Sequence, residues 1–214
     1  MQSFHQLLAA HAPLLVLDAA SSRVQVGWLT GACAAEARWA TADEEAGSGV
    51  FHCIEQLGID PLAAGGWVFC DGPGSILGIR TVSMALRTWR VLANRPAFAY
   101  GSLALVAESI GDKELTVIAD ARRQLWHAFR LGGDKLARVP ATELGGQLAT
   151  PEHFRHWTPL PVGVDRVPYS VASMLSQVPD SKLFRPSDAP DAFLHEEPSY
   201  AMWIPHIHRG PCEK

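Results

Sequence analysis

Residues Cys70–Arg80 read CDGPGSILGIR, and the architecture of the chain can be worked out from this stretch. The apolar run Trp67–Cys70 that leads into it is typical of a buried strand, and the residues after it predict a helix over Ser75–Ala93. Gly72 and Gly74 permit backbone angles that other residues avoid, and the proline between them fixes the bend. A strand, glycine turn and helix in this order leave free N–H groups that can receive an anion or a partner's backbone.

The composition is that of a globular protein with enough length for a large core. The chain has 214 residues, of which 48% are hydrophobic and 19% charged, and its formal net charge is −4. This balance argues against a chain that binds nucleic acid by itself through a broad basic surface. A local basic patch remains open, for example around Arg122 and Arg123.

The cysteines predict neither a zinc site nor a disulfide framework. The four cysteines are Cys33, Cys53, Cys70 and Cys212, and no two have C-x-x-C spacing. They are interpreted as reduced, mostly buried thiols of a cytoplasmic protein. The sequence also contains no apolar run long enough to span a membrane, and the N-terminus does not resemble a signal peptide.

The periodicity predicts an α/β protein in which one pattern occurs twice. Strands are predicted at Pro13–Asp18, Val24–Leu29, Cys33–Trp39, Trp67–Cys70, Pro96–Tyr100, Leu115–Asp120, Leu125–Leu131 and Leu136–Val139. Helices are predicted at Ala42–Leu57, Ser75–Ala93 capped by Asn94, Ser102–Ile110 with Ser102 as its N-cap, and Ser170–Gln177. One helical turn is expected before the first strand, and residues 150–168 have no assignment.

The strand–turn–strand–turn–strand pattern recurs after roughly 100 residues, which predicts two related lobes. The N-terminal lobe is placed at residues 1–102 and the C-terminal lobe at residues 103–214, with a tail that can pack back on the first lobe. Each lobe is expected to be a mixed sheet with flanking helices. This arrangement resembles the duplicated, ribonuclease H-like lobes of the actin/Hsp70/sugar-kinase superfamily.

The superfamily resemblance implies a role for the acid that ends the first strand of each lobe. In that superfamily the acid and the turn after it face nucleotide phosphate and metal. Asp18 and Asp120 hold these positions here. Asp18 either has such a role or only caps a turn, and the sequence leaves both readings open. The residues that could face a phosphate are Asp18, Ser21, Gly72, Gly74 and Asp120.

Several segments together resemble the TsaB (YeaZ) family, bacterial partners in making N6-threonylcarbamoyladenosine at position 37 of tRNA. They are LLVLDAASSRVQVGWL, the GPGSILGIR block, YGSLALVA and IADARRQLWHA, in order from about residue 13 to 131. Glu197–Tyr200 resembles the family's E-P-x-Y element. The chain departs from the family at Ala19 and Ala20, where Thr or Ser is usual, at Ile76-Leu77, where Phe-Thr is usual, and at Met202, where Arg is usual.

The resemblance implies a non-catalytic scaffold that supports a TsaD-like transferase, with a TsaE-like ATPase completing the assembly. The family pairs with TsaD, or with a second copy of itself, mainly through helices that match Ala42–Leu57 and Ser75–Ala93 here. No tightly bound cofactor is expected, ATP or ADP could lie at the partner interface, and tRNA is reached only through the complex. The candidate partner-binding residues are Val50, Ile54, Ser75, Ile79, Arg80, Val82 and Ser83.

The residues themselves argue against catalysis. TsaD, the enzyme related to this family, needs an H-x-x-x-H pair to bind metal on one helix face. No two of the nine histidines here have that spacing. His153 and His156 are three apart but lie in a stretch rich in Pro and Trp, so no metal site and no catalytic residue is assigned. No G-x-S-x-G or Cys/His arrangement predicts a protease.

Two other interpretations stay open. One is a small ATPase or phosphotransferase of the same superfamily, with Asp18 and Asp120 near the phosphates. The other is a self-associating paralogue without an enzymatic partner. Arg80, one turn into its helix, is predicted to pair with the Asp18 carboxylate in preference to a partner's acid.

Overall fold

The computed structural model describes residues 1–31, 36–133 and 135–193. Its helices are α1 (Phe4–His11), α2 (Ala46–Leu57), α3 (Ile76–Leu92), α4 (Ser102–Ile110) and α5 (Val171–Gln177). Its strands are β1 (Leu14–Asp18), β2 (Val24–Leu29), β3 (Ala37–Ala42), β4 (Gly66–Gly72), β5 (Ala97–Gly101), β6 (Leu115–Asp120), β7 (Leu125–Arg130), β8 (Ala137–Pro140), β9 (Gln147–Pro151), β10 (Val164–Val167) and β11 (Arg185–Pro186).

The first sheet has the strand order β11-β5-β4-β1-β2-β3. Strand β1 pairs antiparallel with β2 and parallel with β4, so that Val16 lies opposite both Gly27 and Val68. Strand β1 is buried on both faces, which is why its sequence is a continuous apolar run. Its alternate residues serve two layers: Leu15 and Leu17 pack with α2 and α3, whereas Leu14 and Val16 pack with α1 and α4.

The second sheet has the order β10-β9-β6-β7-β8. One face of β6 packs against α4 and α5 through Val117 and Ala119, in the same buried cluster as the α1 face of the first sheet. The other face holds a small separate cluster around Ile118 and Trp126. The two lobes therefore share one continuous core, which makes their relative position part of the packing.

The chain returns to the first sheet after the second lobe. Strand β11 pairs antiparallel with β5, with Arg185 opposite Ala99. The amide of Phe193 donates to the carbonyl of Asp71 at 2.7 Å. The last described residues thus lie along the first lobe and end beside the glycine turn.

The third strand and the second helix of the first lobe begin later than predicted. The third strand is Ala37–Ala42, not Cys33–Trp39, because it matches β2 residue by residue from Val24↔Ala42 to Leu29↔Ala37. Residues 32–35, including Cys33, lie outside the described part. Since β3 extends to Ala42, α2 begins only at Ala46.

The ends of three helices also differ from the prediction. Helix α1 spans eight residues, held by a capping box between Ser3 and Gln6, so the N-terminal extension is longer than one turn. Helix α3 has Ala93 as its C-cap, not Asn94. Gly101, not Ser102, is the N-cap of α4, because the Ser102 hydroxyl donates instead to the carbonyl of Pro73 at 2.5 Å.

Candidate functional site

Asp18, at the end of β1, is the centre of a buried hydrogen-bond network between the lobes. Its side chain is 1% exposed. Oδ2 accepts from the hydroxyl of Tyr100 at 2.6 Å and from that of Tyr169 at 2.7 Å. Oδ1 accepts from the backbone N–H of Ala20 at 3.0 Å. Because Tyr169 belongs to the second lobe, the Asp18 carboxylate joins the two lobes.

Burial dominates the electrostatics of this network. It raises the pKa of Asp18 despite the opposing hydrogen bonds from Tyr100, Tyr169, Ala20 and Cys70. Burial, with the Asp18 charge nearby, also raises the pKa of the Tyr100 and Tyr169 hydroxyls and the Cys70 thiol well above their usual values. The tyrosines therefore remain protonated donors to a carboxylate that does not reach solvent.

The predicted pair between Arg80 and Asp18 is wrong. Arg80 lies on the exposed side of α3. The partners of Asp18 are two hydroxyls and a backbone amide instead. The hydroxyls of Tyr100 and Tyr169, which are distant in the chain, bind Asp18 where the sequence predicted the guanidinium of Arg80.

Gly74 and Gly78 let α3 approach the turn after β1 closely. A Cβ atom at Gly78 would lie 2.1 Å from the carbonyl oxygen of Ala19, and one at Gly74 would lie 2.3 Å from that of Ala20. The amide of Ser75 donates to the Ala20 carbonyl at 2.7 Å. The block GPGSILG is thus a packing motif between two backbones.

The polar groups of the β1–β2 turn are bonded within the protein. The hydroxyl of Ser21 donates to the carbonyl of Arg23 at 2.8 Å and accepts from its amide at 3.1 Å. The amide of Ser22 donates to the carbonyl of His153 in the second lobe at 2.8 Å. The amide of Ala20 donates to Asp18. The N–H groups of Ala20, Ser22 and Arg23, which could otherwise bind a phosphate in this turn, therefore already have acceptors.

An open cleft of about 540 Å³ lies between the lobes. The first lobe contributes the turn at residues 20–22 and the glycine turn at residues 71–77, and the second contributes residues 119–123 and 154–157. Ser21, Gly72, Gly74 and Asp120 line this cleft. Asp18 is not among the lining residues, so four of the five candidate phosphate-facing positions meet and the fifth lies beneath them.

Asp120 orders the second-lobe wall of the cleft. Its Oδ1 accepts from the amide of Arg122 at 2.5 Å, and its Oδ2 accepts from the amides of Trp157 and Thr158 at 2.6 and 2.8 Å. Partial burial opposes ionisation, but these three backbone hydrogen bonds outweigh it and lower the pKa of Asp120. Asp120, one of the candidate phosphate-facing residues, therefore holds two loops together.

The second-lobe wall carries several cations. Arg122, Arg123, Arg138 and Arg155 all line the cleft. The guanidinium of Arg122 lies 5.5 Å from the ring centroid of Trp157, which is 68% exposed. The sequence left a basic patch at Arg122 and Arg123 open, but it did not indicate Arg155 and Trp157, because residues 150–168 had no assignment.

The acids in the cleft are already engaged. Asp71 is in contact with the guanidinium of Arg185 from β11. The carboxylate of Asp120 accepts from three backbone amides. Among the described residues, no ion pair involves Arg122, Arg123 or Arg155. The wall is therefore a net cationic surface on a chain whose overall charge is negative.

The candidate partner-binding residues lie mostly inside the first lobe. Buried positions are Val50, Ile54, Ile79, Val82 and Ser83. Ser75 is half-buried and accepts from the amide of Gly78 as the N-cap of α3, and Arg80 is exposed. The large apolar side chains that α2 and α3 expose are others, namely Phe51, Ile76, Leu77, Met84, Val91 and Leu92.

Other predicted features are placed as follows. Cys53 and Cys70 are free, buried thiols. His153 and His156 are exposed, and no group of three or more potential ligands is close enough to hold a metal ion within residues 1–31, 36–133 and 135–193. None of the described helices has the length and hydropathy to cross a membrane. Cys212, Met202 and the segment Glu197–Tyr200 lie outside the described residues.

Comparison with solved structures finds the same fold elsewhere. YeaZ from Pseudomonas aeruginosa superposes with a TM-score of 0.57 at 19% identity, over 77% of this chain and 89% of that one. A second crystal structure, of an uncharacterised protein with similarity to peptidase YeaZ from Pseudomonas aeruginosa, gives 0.53 at 18% identity, over 77% and 88%. No family model and no curated protein matches the sequence. The likeness confirms the predicted fold class, two mixed sheets flanked by helices in the YeaZ arrangement.

Proposed function

We propose that this chain is a TsaB-type protein, a non-catalytic subunit that supports a TsaD-like transferase in forming N6-threonylcarbamoyladenosine at position 37 of tRNA. The observation that carries the proposal is the YeaZ fold over 77% of the chain, together with sequence segments that resemble the TsaB family. A TsaE-like ATPase would complete the assembly in the cytoplasm. No cofactor is assigned to the isolated subunit, and ATP or ADP at the partner interface belongs to the proposal.

The sealed turn at Asp18 favours a scaffold over the ATPase alternative. A phosphate-binding acid must reach its ligand, but this carboxylate is 1% exposed and bonded to Tyr100 and Tyr169. Its raised pKa also weakens its capacity to hold a cation. We expect no magnesium-dependent ATP hydrolysis by the purified chain. Hydrolysis that Asp18→Asn abolishes while the fold is retained would instead establish the enzyme.

Helix α3 carries an apolar stripe suited to a partner helix. Leu77, Met84 and Val91 are spaced by seven residues, so they lie along one side of α3. Their exposed fractions are 75%, 57% and 85%. Phe51 adds an exposed ring on the neighbouring α2. Contiguous exposed apolar surface of this kind marks an interaction site, which a TsaD-like protein or a second copy of the chain could cover.

A charge placed in this stripe is expected to weaken the complex. Leu77→Glu and Met84→Glu should each raise the dissociation constant for the TsaD-like protein of the same genome by about thirtyfold or more, the effect of losing a central interface residue. Val162→Glu is the matched control, since Val162 is fully exposed on the second lobe. Co-expression followed by size exclusion with light scattering would show the complex, and titration calorimetry would give the dissociation constants.

The possible results separate the alternatives. A one-to-one complex lost with both stripe variants, and kept with the control, supports the scaffold. A homodimer lost with the same variants, with no binding to the transferase, supports the self-associating paralogue. Full modification of tRNA by the TsaD–TsaE pair without this chain would refute the proposed function.

A further inference from the structure

We infer that the second-lobe wall of the interlobe cleft binds a single-stranded segment of RNA, with its arginines on the phosphates and Trp157 as a stacking surface for a base. The inference rests on the proposed function and deepens it. The family resemblance implies that tRNA is reached only through the complex, whereas this wall would give the subunit its own contacts with the RNA.

The charge distribution supports an anionic ligand. Arg122, Arg123 and Arg155 are exposed and line one side of the cleft. The two acids that line the cleft are bonded elsewhere, Asp71 to Arg185 and Asp120 to backbone amides. Arginine guanidinium groups bind phosphate oxygens through paired N–H donors, and an excess of arginines over available acids along one wall is the footprint of a nucleic-acid backbone.

An aromatic platform is preformed on the same wall. Asp120 accepts from the amides of both Arg122 and Trp157, which fixes the two loops side by side with the guanidinium 5.5 Å from the ring centroid. Trp157 keeps most of its surface open to solvent. An exposed ring flanked by arginines is the arrangement on which proteins stack unpaired bases.

The backbone that presents these arginines is unusual. Arg122, Arg123 and Gln124 have φ values of 62°, 53° and 62°, three consecutive left-handed residues without a glycine. The left-handed region is strained for a residue with a side chain, so such a turn persists only where the structure around it enforces it. Here the Asp120 carboxylate and the hydrogen bond from Ala121 to Leu125 at 2.9 Å hold it.

The opposite wall disfavours a free nucleotide. In the β1–β2 turn and the glycine turn, the amides of Ala20, Ser22 and Ser75 already donate to Asp18, His153 and Ala20. A mononucleotide enclosed by both lobes would have to compete with the hydrogen bonds that these amides already make. An extended single strand of RNA needs only one cationic wall with open space along it, and this cleft provides both.

The test measures binding of the purified full chain to fluorescent oligonucleotides by anisotropy over a series of salt concentrations. The probes are a tRNA anticodon stem-loop containing adenosine 37, the same sequence fully paired in a duplex, and AMP as a competitor. Variants are Arg123→Ala, Arg155→Ala, Trp157→Ala and Trp157→Phe. Arg166→Ala is the matched control, because Arg166 is an exposed arginine on β10 outside the cleft.

We expect the stem-loop to bind more tightly than the duplex, with an affinity that falls as salt rises. Each arginine variant should weaken binding and reduce the salt slope by about 0.7 for every phosphate that is no longer neutralised. Trp157→Ala should weaken binding by about fivefold or more, and Trp157→Phe should restore part of it. The control should bind like the parent chain.

Three results would overturn the inference. The first is that the stem-loop does not bind at low salt. The second is that Arg166→Ala weakens binding of the stem-loop as much as the cleft variants do. The third is that AMP displaces the stem-loop at concentrations lower than that of the RNA. None of these bears on whether the chain binds a TsaD-like protein, which the stripe variants measure separately. A chain that binds its partner but not RNA keeps the proposed function and loses this inference.

Discussion

Replacing Gly78 by alanine is expected to lower the free energy of unfolding by about 3 kcal/mol, a large effect for one methyl group. The added Cβ would lie 2.1 Å from the carbonyl oxygen of Ala19, a distance at which the backbones must move apart. Because Ala19 follows Asp18 directly, that movement would also disturb the hydrogen bonds at the centre of the protein. Denaturant unfolding monitored by circular dichroism would give the change in free energy.

Gly47→Ala is the matched control for this substitution. Gly47 also lies in the first turns of a helix, α2, but a Cβ there would meet nothing within 4 Å. Since alanine favours the helix over glycine, this variant should gain about 0.5–1 kcal/mol. A loss of similar size in both variants would mean that the effect at Gly78 does not come from the close approach to Ala19.

Replacing Asp18 by alanine is expected to lower the free energy of unfolding by about 3 kcal/mol or more. The Tyr100 and Tyr169 hydroxyls and the Ala20 amide would lose their acceptor in a place that water does not reach, and each stranded donor costs about 1–3 kcal/mol. Asp18→Asn keeps the shape and one acceptor and should cost about 1 kcal/mol or less near pH 4. The difference between the two variants separates loss of the network from loss of the charge.

The pH dependence of Asp18→Asn tests the buried carboxylate directly. Burial raises the pKa of Asp18 in the folded protein above the unfolded value of about 3.9, so the folded state holds the proton more tightly. The stability that Asp18 contributes is therefore full below about pH 3.9 and decreases as pH rises through the folded-state pKa. The free energy of unfolding of the Asn variant should rise relative to the parent chain over that range.

When the free energy of unfolding of the parent chain is subtracted from that of the Asn variant at each pH, the contributions of the other acids cancel. Asp120, whose pKa is lowered, has the opposite dependence and loses its contribution as pH falls, but it is present in both proteins. A difference that stays constant between about pH 4 and pH 8 would mean that Asp18 ionises in the folded protein as it does in water. That outcome would contradict a sealed interlobe network.

Much of the fold follows from local sequence. The bounds of β2 and β6 agree with the prediction to the residue, because each is an apolar or alternating run limited by turn residues. The start of α3 after Ser75 follows from a serine N-cap and a helical period. The repeated order of strands predicted the two lobes for the same reason.

The short strands β9 and β10 were missed because little in their own sequence favours them. Strand β10 has only four residues, and β9 ends in Pro151. They form because β6 offers an edge to β9, and β9 in turn offers one to β10, both in parallel. The loop between them carries Arg155 and Trp157, so the cationic wall was missed with the strands.

Local periodicity and turn chemistry are enough to specify the α/β class, the first-strand acids Asp18 and Asp120, and the glycine block. The roles of these residues depend on contacts that no local pattern contains. Tyr169 lies 151 positions from Asp18, yet its hydroxyl binds that carboxylate at 2.7 Å. A carboxylate's burial, and so its pKa and its access to a ligand, depends on such distant neighbours. The two acids that end the first strand of each lobe therefore have different roles. Asp18 is buried between the lobes, whereas Asp120 orders the wall of an open cleft.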